Sequence, residues 1–556
     1  MDLAAISHTA WDYIFIGGGL SSSVVSHRLH EFNPNLKILV VEAGPNANDR
    51  PDIVWPNSTN LINGDFDWKY TTIAQRHLDG RPINYPSGKA LGGGTVINSG
   101  GWVRGDKHDF DLWGTTVGDA RWSYDGLLPF MKKTETFWSD RINSDQHGQK
   151  GLARIQSVTS TNREYPLREK VRSSWAELGV LPLPDLDGNA GNPIGVAEIQ
   201  ENKNQGRREI AASIYPLGGI TVLTETLVEK VVIEKDSPGG RDRLNAVGIK
   251  LADGTEIRGR EIVLSAGAVR SPQVLMLSGV GPAQELSKFN IDVLLEQPEV
   301  GKNLMDHGLL LNAWRVKNPS DGWTLESGNP LFTEPQYGLG GPLDFVVSTD
   351  VPKEGLAAAI AEDEGAQPTP AHPLLATKRT FLEQVILYTG GPGSDGSLIT
   401  WALMTMLPTS RGEVTLASAD IRDPPLIDPN FLGTAVDRYV VREGMKMQIR
   451  FAGSDATVVG REILDGEATP PGSEQLTVNS TDEQIDSRVR AGLGTSFHPM
   501  GSLAMGKVVD TDLRVKGVDN LRVVDTSVFP VPITGHLQVA TYAMAEQAAE
   551  IIHASR

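Results

Sequence analysis

Residues 12–44 limit the fold of this chain more than any other stretch. They read DYIFIGGGLSSSVVSHRLHEFNPNLKILVVEAG, which predicts a strand, a glycine turn, a helix and a second strand. Gly17 and Gly19 occupy the first two positions of the pattern G-x-G-x-x-G, in which a tight turn brings backbone amides against a pyrophosphate. Ser22 occupies the third position and is small enough for close packing of the helix on the strand. The stretch therefore predicts a dinucleotide-binding α/β unit.

An acidic residue comes directly after the second predicted strand. Glu42 follows the apolar run KILVV, about twenty residues beyond the glycine turn. At that point of the unit a carboxylate accepts hydrogen bonds from the hydroxyls of the adenosine ribose, and its charge repels a 2′-phosphate. The position of Glu42 therefore favours a dinucleotide that has no 2′-phosphate.

Length and charge exclude several classes of protein and partner. A chain of 556 residues is too long for one core, so we expect two intertwined domains. Its formal net charge of -18 argues against nucleic acid or an anionic membrane as a partner, because both are bound through Lys and Arg. The chain has no cysteine, which excludes disulfides and thiolate chemistry. We expect a neutral or small substrate and predict no metal site.

Targeting signals are few. The sequence has no apolar run of about 18 residues, so we predict no membrane-spanning segment. Residues 1–10 carry no charged-then-apolar leader, while Asn57 and Asn479 begin Asn-x-Ser/Thr sequons that fit secretion. We slightly favour secretion over a cytoplasmic location, and we make no prediction of oligomeric state.

A second glycine-rich stretch occupies residues 88–105 and reads GKALGGGTVINSGGWVRG. Five of its glycines lie between Gly92 and Gly101, which suggests backbone pressed against a flat ligand. The apolar residues between and beside them oppose a flexible loop: Leu91, Val96, Ile97 and Trp102.

Apolar periodicity predicts the main elements of the remaining chain. Strands are predicted over residues 220–234, 246–251 and 255–266, with a hairpin turn at Asp253-Gly254. Helices are predicted over residues 121–133, 167–178 and 435–451, after a turn at 267 and from about Val539. Residues 318–377 are the least regular, and they predict either a lid over a site or a plain surface insertion.

These stretches together resemble the glucose-methanol-choline (GMC) oxidoreductases, flavoproteins that oxidise alcohols. Residues 88–105 are similar to the first family signature, and GAVRSPQVLMLSGVGP at 267–282 is similar to the second. Further family blocks resemble VGKNLMDH at 300–307, PTSRGEVTL with IDPNFL within 408–432, and HPMGSLAMG with LRVVDTSVFP near the end of the sequence. The resemblance covers nearly the whole chain, and the general pattern is most similar to the aryl-alcohol oxidases.

The resemblance implies an α/β fold with two domains and FAD rather than NAD as the cofactor. A Rossmann-type FAD-binding domain is expected over residues 9–160, 215–310 and 492–556. A substrate domain, built on an antiparallel sheet flanked by helices, is expected over residues 161–214 and 311–491. The isoalloxazine ring would lie between the two domains.

The resemblance also implies which residues hold FAD. Gly17, Gly19 and Ser22 would meet the pyrophosphate and Glu42 the ribose, with the backbone of Val228 beside the adenine. Gly92, Gly93, Thr95 and Asn98 would lie along the pyrophosphate and flavin ring, Asp525 near the ribityl chain, and amides near Gln538 at the flavin N1 and C2 carbonyl.

The catalytic residues implied are His498 in the HPMG block and His536 at the family spacing. Oxidation of an alcohol by hydride transfer to flavin N5 also removes the hydroxyl proton, and a neutral imidazole has a suitable pKa for that task. We expect His498 to be the base and His536 to hydrogen-bond the substrate oxygen. Phe497 is either an aromatic residue beside the oxygen route or an ordinary core phenylalanine. Aryl-alcohol oxidases carry an aromatic residue where this chain has Ser99, so the pocket is wider or Trp102 refills it.

The function implied is oxidation of primary alcohols, with aromatic or furanic ones favoured, to aldehydes. Reoxidation by dioxygen would yield hydrogen peroxide. One alternative is a dehydrogenase with a quinone acceptor, and another is a non-redox lyase or cyclase in which FAD is structural.

The first signature predicts how FAD is attached. Family members with covalent flavin have a histidine just before the asparagine of this signature or in its place, whereas this chain has Ile97 and Asn98. We therefore expect acid denaturation to release all yellow colour into the supernatant. Colour retained by the precipitated protein would show that the flavin is covalently bound.

Overall fold

The structure, a computed structural model, describes residues 3–55, 61–138, 143–236 and 243–555. Asn57 lies outside the described residues, and Asn479 lies in an exposed turn. Among the described helices none is both long and apolar enough to cross a bilayer.

A mostly parallel sheet is built around the strand Trp11–Ile16. This strand pairs in parallel with Ile38–Val41 on one side and Glu256–Leu264 on the other. The runs IFI and ILVV are buried on both faces, as expected for a parallel sheet that is covered by helices. The strands follow in the spatial order Thr221–Leu223, Ile38–Val41, Trp11–Ile16, Glu256–Leu264, Arg243–Leu251 and Val228–Asp236. Two short strands add to this sheet: Val518–Asp519 pairs with Arg243–Leu251, and Leu521–Val523 pairs with Glu256–Leu264.

Helices from distant parts of the chain cover this sheet. The helix Gln538–Ala554 packs on the helix Leu20–Phe32 and on Tyr124–Thr134. Arg28, in the helix Leu20–Phe32, forms a buried ion pair with Glu546 at 2.8 Å. The other helices of eight or more residues are Lys107–Val117, Arg168–Glu177, Gly267–Leu277, Lys353–Glu364, Ala435–Ala452 and Asp482–Gly492.

A second sheet is almost entirely antiparallel. Its strands lie in the order Leu464–Glu467, Gly308–Val316, Leu398–Thr405, Leu382–Leu387, Phe345–Thr349 and Gly195–Glu198, with Gly494–Thr495 paired to Gly308–Val316. One face packs on the helix Ala435–Ala452, where Asn312 donates to Gln448. Because side chains alternate along a strand, Glu383 and Val385 lie on the opposite face. The two sheets confirm the predicted fold class, and the domain boundaries stay a prediction.

The smaller strands form separate ladders in the described part of the chain. They are Glu135–Phe137, Ala153–Ser157 and Gln200–Glu201; Lys302–Leu304, Gly412–Thr415 and Leu426–Asp428; Tyr70–Thr71 and Asn84–Tyr85; Lys203–Asn204 and Arg207–Arg208; and Val280–Gly281 and Leu295–Glu296.

Two predicted stretches differ from the structure. Residues 220–234 do not form one strand, because the chain turns at Glu225 (φ 54°) and places its two halves at opposite ends of the parallel sheet. Residues 318–377 contain the sheet strand Phe345–Thr349 and the helix Lys353–Glu364, so they are neither a simple lid nor a plain surface insertion. The strand is too short for periodicity to identify among the surrounding prolines and glycines.

Candidate active site

The glycine turn leaves no space for a side chain. Gly17 has φ 94°, and a Cβ atom there would lie 2.6 Å from the carbonyl oxygen of Ser265. Gly92 of the second glycine stretch donates its N–H to the Gly18 carbonyl at 2.8 Å. The structure therefore brings the two glycine-rich stretches together beside the carboxyl ends of the central strands, which is where ligands bind in α/β sheets. Ser22 lies in the helix that follows, fully buried.

Glu42 is bound to the backbone of this turn. Its Oε2 atom accepts from the Gly18 N–H and its Oε1 atom from the Gly44 N–H, both at 2.7 Å. Burial raises the pKa of Glu42 to about 7, and the two backbone bonds oppose that rise. The Glu42 carbonyl accepts from Thr226, two residues before Val228 at the start of a strand. Glu42 and Val228 therefore lie in neighbouring segments, as expected for the adenosine half of the cofactor.

The second glycine stretch is tied to the helix Gln538–Ala554 through side-chain amides. Gln538 donates to the Gly101 carbonyl at 2.6 Å and accepts from Asn98 at 3.4 Å. Thr95 donates to the Gly92 carbonyl at 2.6 Å, which closes the turn that also contains Gly93. The structure therefore brings these predicted cofactor residues together at the start of a long helix, where free backbone amides favour negative charge.

Arg208 is a buried residue of this region that the sequence did not reveal. Its guanidinium donates to the Asn98 side chain at 2.9 Å and to the backbone carbonyls of Asn98, Thr95 and Ile53. Burial lowers the pKa of Arg208 to about 10, and no described carboxylate is bonded to it. Arg208 therefore holds a positive charge against residues 95–98. Its signal in the sequence, a paired Arg207-Arg208, is indistinguishable from a solvated charge run.

Asp525 joins two segments around the turn after Glu256–Leu264. Its Oδ2 atom accepts from the Gly267 N–H at 2.9 Å and from the Ser271 hydroxyl at 2.6 Å. Its Oδ1 atom accepts from the Ser527 N–H at 2.8 Å. Burial raises its pKa. Asp525 fixes the backbone here, and its predicted place beside the ribityl chain stays a prediction.

His498 lies in a loop that a neighbouring segment holds. Its N–H donates to Asp306 at 3.0 Å, and its Nδ1 atom lies 3.0 Å from Nδ1 of His307. Burial, with the nearby His307 and His536, lowers the pKa of His498 well below its usual value. The Nε2 atom makes no hydrogen bond with the described residues. His498 is therefore a neutral imidazole with one nitrogen available for a substrate.

His536 has the opposite electrostatic environment. Its ring centroid lies 5.3 Å from that of His498, and its Nε2 atom lies 2.8 Å from Glu383 Oε1. Burial lowers its pKa, but the charge and hydrogen bond of Glu383 outweigh burial and the net shift is upward. A Cβ atom on Gly101 would lie 2.5 Å from His536 Nδ1, so only glycine fits there. The paired imidazoles thus favour different protonation states.

Glu383 also escaped prediction. It is a lone acid in the strand LEQVIL, fully buried, and its Oε2 atom has no hydrogen-bond partner among the described residues. An acid in an apolar strand suggests a surface position, and only the contact of this strand with the segment before the helix Gln538–Ala554 places it beside His536.

Trp102 does not line a route to the site, and the expectation that it refills the pocket is wrong. Its side chain is fully buried, donates to Glu135 at 3.0 Å and packs against Tyr542. The reason is that the Trp102 N–H pairs with the Gln200 carbonyl, which directs the indole into the core. Phe497 is 44% exposed, with φ 66°, and its role beside an oxygen route stays a prediction.

Comparisons with known proteins agree with this geometry. Two family profiles described as GMC oxidoreductase match residues 11–309 and 408–545. The chain belongs to the GMC oxidoreductase family, whose members are FAD-dependent enzymes.

Individual relatives are similar over nearly their full lengths. A GMC-type oxidoreductase of Aspergillus aculeatus, acuG, is 36% identical over 98% of this chain and 99% of its own. Pyranose dehydrogenase 3 of Leucoagaricus meleagris is 32% identical over 98% of this chain and 93% of its own. Among solved structures, pyridoxine 4-oxidase from Mesorbium loti has a TM-score of 0.80 at 27% identity, over 98% of this chain and 99% of its own.

FAD is the cofactor, and the residues present fit it. Gly17 has no room for a Cβ atom and its turn lies beside a helix N-terminus, the combination that suits a pyrophosphate. The hydroxyls of Ser22 and Ser265 are buried beside this turn without a described partner. Glu42 supplies a carboxylate at the end of the second strand. These groups would hold the adenosine diphosphate half.

Replacement of Glu42 tests this assignment. We expect Glu42→Ala to weaken FAD binding roughly tenfold or more, because a hydrogen bond to a charged group contributes about 1.5–3 kcal/mol. Glu42→Gln keeps an acceptor but no charge, so its FAD affinity should lie between those of the wild type and Glu42→Ala. The measurement is reconstitution of the apoprotein with FAD, followed by flavin fluorescence. Glu256→Ala removes an exposed acid of the same sheet and is the control; unchanged FAD affinity in Glu42→Ala would contradict the assignment.

Proposed function

We propose that the protein oxidises primary alcohols, with aromatic or furanic ones preferred, to aldehydes, and that dioxygen is reduced to hydrogen peroxide. The observation that carries this proposal is the pair His498 and His536, whose ring centroids lie 5.3 Å apart. The pKa of His498 is lowered and that of His536 is raised. Two titratable groups whose environments drive their pKa values apart are the usual sign of an acid and base assignment.

His498 is the base in this proposal. Its lowered pKa keeps the imidazole unprotonated at neutral pH, so Nε2 can accept the hydroxyl proton of the alcohol. Its Nδ1 atom is engaged with His307, which leaves Nε2 as the nitrogen that meets the substrate. Bound FAD would supply the two-electron oxidant for the hydride of the alcohol carbon.

His536 contributes positive charge. As the hydroxyl proton leaves, negative charge develops on the substrate oxygen, and a nearby imidazolium stabilises it. Glu383 maintains this imidazolium through the 2.8 Å contact. In this arrangement Nε2 is turned to Glu383, so His536 acts through charge at least as much as through the direct hydrogen bond that the family resemblance implies.

The sheet face that carries Glu383 supports an apolar alcohol. Met404 lies directly opposite Glu383 on the neighbouring strand and Ala402 opposite Val385, so all four share the face turned away from the helix Ala435–Ala452. Leu309 lies opposite Met404 on the next strand along. An aromatic or furanic ring would bury favourable area against these side chains. The name of pyridoxine 4-oxidase, an oxidase with an aromatic ring in its substrate, points the same way.

A dehydrogenase that uses a quinone and a polyhydroxylated substrate is the second candidate. The relatives named pyranose dehydrogenase, at 31–32% identity, favour it. The unpartnered Oε2 atom of Glu383 is also an acceptor that a further substrate hydroxyl could use.

Variants of the two histidines test the division of roles. His498→Ala should slow flavin reduction by ~10²-fold or more, the lower range for loss of a general base. His536→Asn keeps a donor for Glu383 but removes the positive charge, so it should slow reduction less than His498→Ala does. His536→Ala also leaves a buried carboxylate unpaired and should cost more than Asn. The measurement is anaerobic stopped-flow reduction with a benzylic alcohol, and His8→Ala is a surface control. Near wild-type reduction in His498→Ala would overturn the assignment.

The electron acceptor is tested on the reduced enzyme. A panel of benzylic, furanic, allylic and sugar alcohols is added anaerobically, and the flavin spectrum shows which substrate reduces it. We expect a benzylic or furanic alcohol to be fastest, and air to restore the oxidised spectrum with one hydrogen peroxide per flavin. Slow recovery in air but rapid recovery with benzoquinone would establish the dehydrogenase instead.

A further inference from the structure

We infer that His307 is a positioning residue that fixes the tautomer of His498, with the proton on Nδ1 and the lone pair on Nε2. The inference rests on the proposed role of His498 as the base. His307 is fully buried. Of the two catalytic histidines it contacts His498, which it meets edge-on with ring planes at 85°.

The two segments that carry these histidines are clamped together through their backbones. Met305 and Met500 exchange two N–H···O=C bonds of 2.8 and 2.9 Å. Ser496 donates its N–H to the His307 carbonyl at 2.8 Å. The segment 305–307 therefore runs beside the loop 495–500 as a short ladder, and His307 is held at a fixed distance from His498.

Asp306 completes the clamp from the same segment. Its carboxyl accepts from the Thr495 hydroxyl at 2.6 Å and from the His498 N–H at 3.0 Å. Burial raises the pKa of Asp306 to about 6. Asp306 is therefore committed to the backbone and to Thr495, and it is His307, a neutral group, that contacts the His498 ring.

The Nδ1–Nδ1 contact requires one proton between two nitrogen atoms. If His307 donated it, the proton of neutral His498 would lie on Nε2, and no lone pair would be left to receive the substrate proton. If His498 donates, Nε2 is free. The ring nitrogen of His307 that carries the proton thus decides whether His498 can act as a base.

The surroundings of His307 favour the second arrangement. The Met406 backbone carbonyl acts on the ring as an acceptor and opposes the fall of its pKa, while Nε2 has no full hydrogen bond with a described residue. Since Nδ1 faces His498, a weak acceptor on the other side of the ring favours the His307 proton on Nε2 and leaves its Nδ1 atom as an acceptor for His498. Burial, together with the charge of His536, lowers the pKa of His307 to about 3, so His307 does not become a cation that would donate from both nitrogens.

A histidine serves here better than the carboxylate that more often orients a catalytic imidazole. A carboxylate would stabilise protonated His498, raise its pKa and reduce the fraction able to accept a proton. Neutral His307 supplies an acceptor without that charge. This distinction separates a positioning role from simple packing.

The direct test is nitrogen NMR of the FAD-loaded protein with 15N-labelled histidine and no substrate present. We expect the His498 signals, assigned by their loss in His498→Gln, to show a protonated Nδ1 and an unprotonated Nε2. In His307→Phe, which keeps the ring shape and removes the acceptor, His498 should become a tautomer mixture. In His307→Gln, whose side-chain oxygen can accept, the wild-type pattern should be largely restored. His8→Gln, at an exposed histidine, is the control.

Kinetics then connects the tautomer to catalysis. We expect His307→Phe to slow flavin reduction by about tenfold or more at unchanged FAD content, with partial rescue in His307→Gln; a general base contributes ~10²–10⁴-fold in total. A wild-type His498 with its proton on Nε2, or an unchanged tautomer in His307→Phe, would overturn the inference. Should the tautomers behave as expected while His498→Ala still reduces its flavin at the wild-type rate, the proposed function fails and the inference about the tautomer stands.

Discussion

The site depends on one close backbone approach, in which Gly17 lies against the Ser265 carbonyl with no room for a Cβ atom. That contact sets the gap between the first turn of the parallel sheet and the turn after Glu256–Leu264, and Asp525 then fixes the second turn from a third segment. Because the second glycine stretch pairs with Gly18, four distant parts of the chain share one edge of the sheet. Every other cofactor and catalytic residue is placed relative to that edge.

The site contains cationic groups, although the protein as a whole is negatively charged. The chain has a formal net charge of -18, yet Arg208 is buried without a described carboxylate and Glu383 raises the pKa of His536 against the effect of burial. Burying a charge is costly unless it is paired or hydrogen-bonded, and both groups are, through backbone carbonyls in one case and Glu383 in the other. Local positive charge on an acidic protein is suited to a dinucleotide with two phosphates and to a substrate oxygen that becomes negative.

Motifs and long apolar runs could be predicted from the sequence, whereas contacts between elements could not. The glycine turn and the parallel strands follow from local patterns, the two histidines follow from the family resemblance, and the family and FAD are confirmed. Glu383 and His307 were missed because their significance arises only from tertiary contacts, of Glu383 with His536 and of His307 with His498. Trp102 was misassigned for the same reason: the backbone pairing with Gln200 that directs its side chain inward joins residues far apart in sequence.

The ion pair between Arg28 and Glu546 has a consequence for biosynthesis. It joins the first crossover helix to the helix Gln538–Ala554, which also presents Gln538 to the second glycine stretch. Domains generally fold as units while a chain is being made, but here the nucleotide-binding unit emerges from the ribosome some five hundred residues before its partner helix. The early strands must therefore wait, shielded or loosely collapsed, until synthesis has passed Glu546. Because Gln538 lies on the same late helix, the second glycine stretch also gains its last contacts only when synthesis is nearly finished.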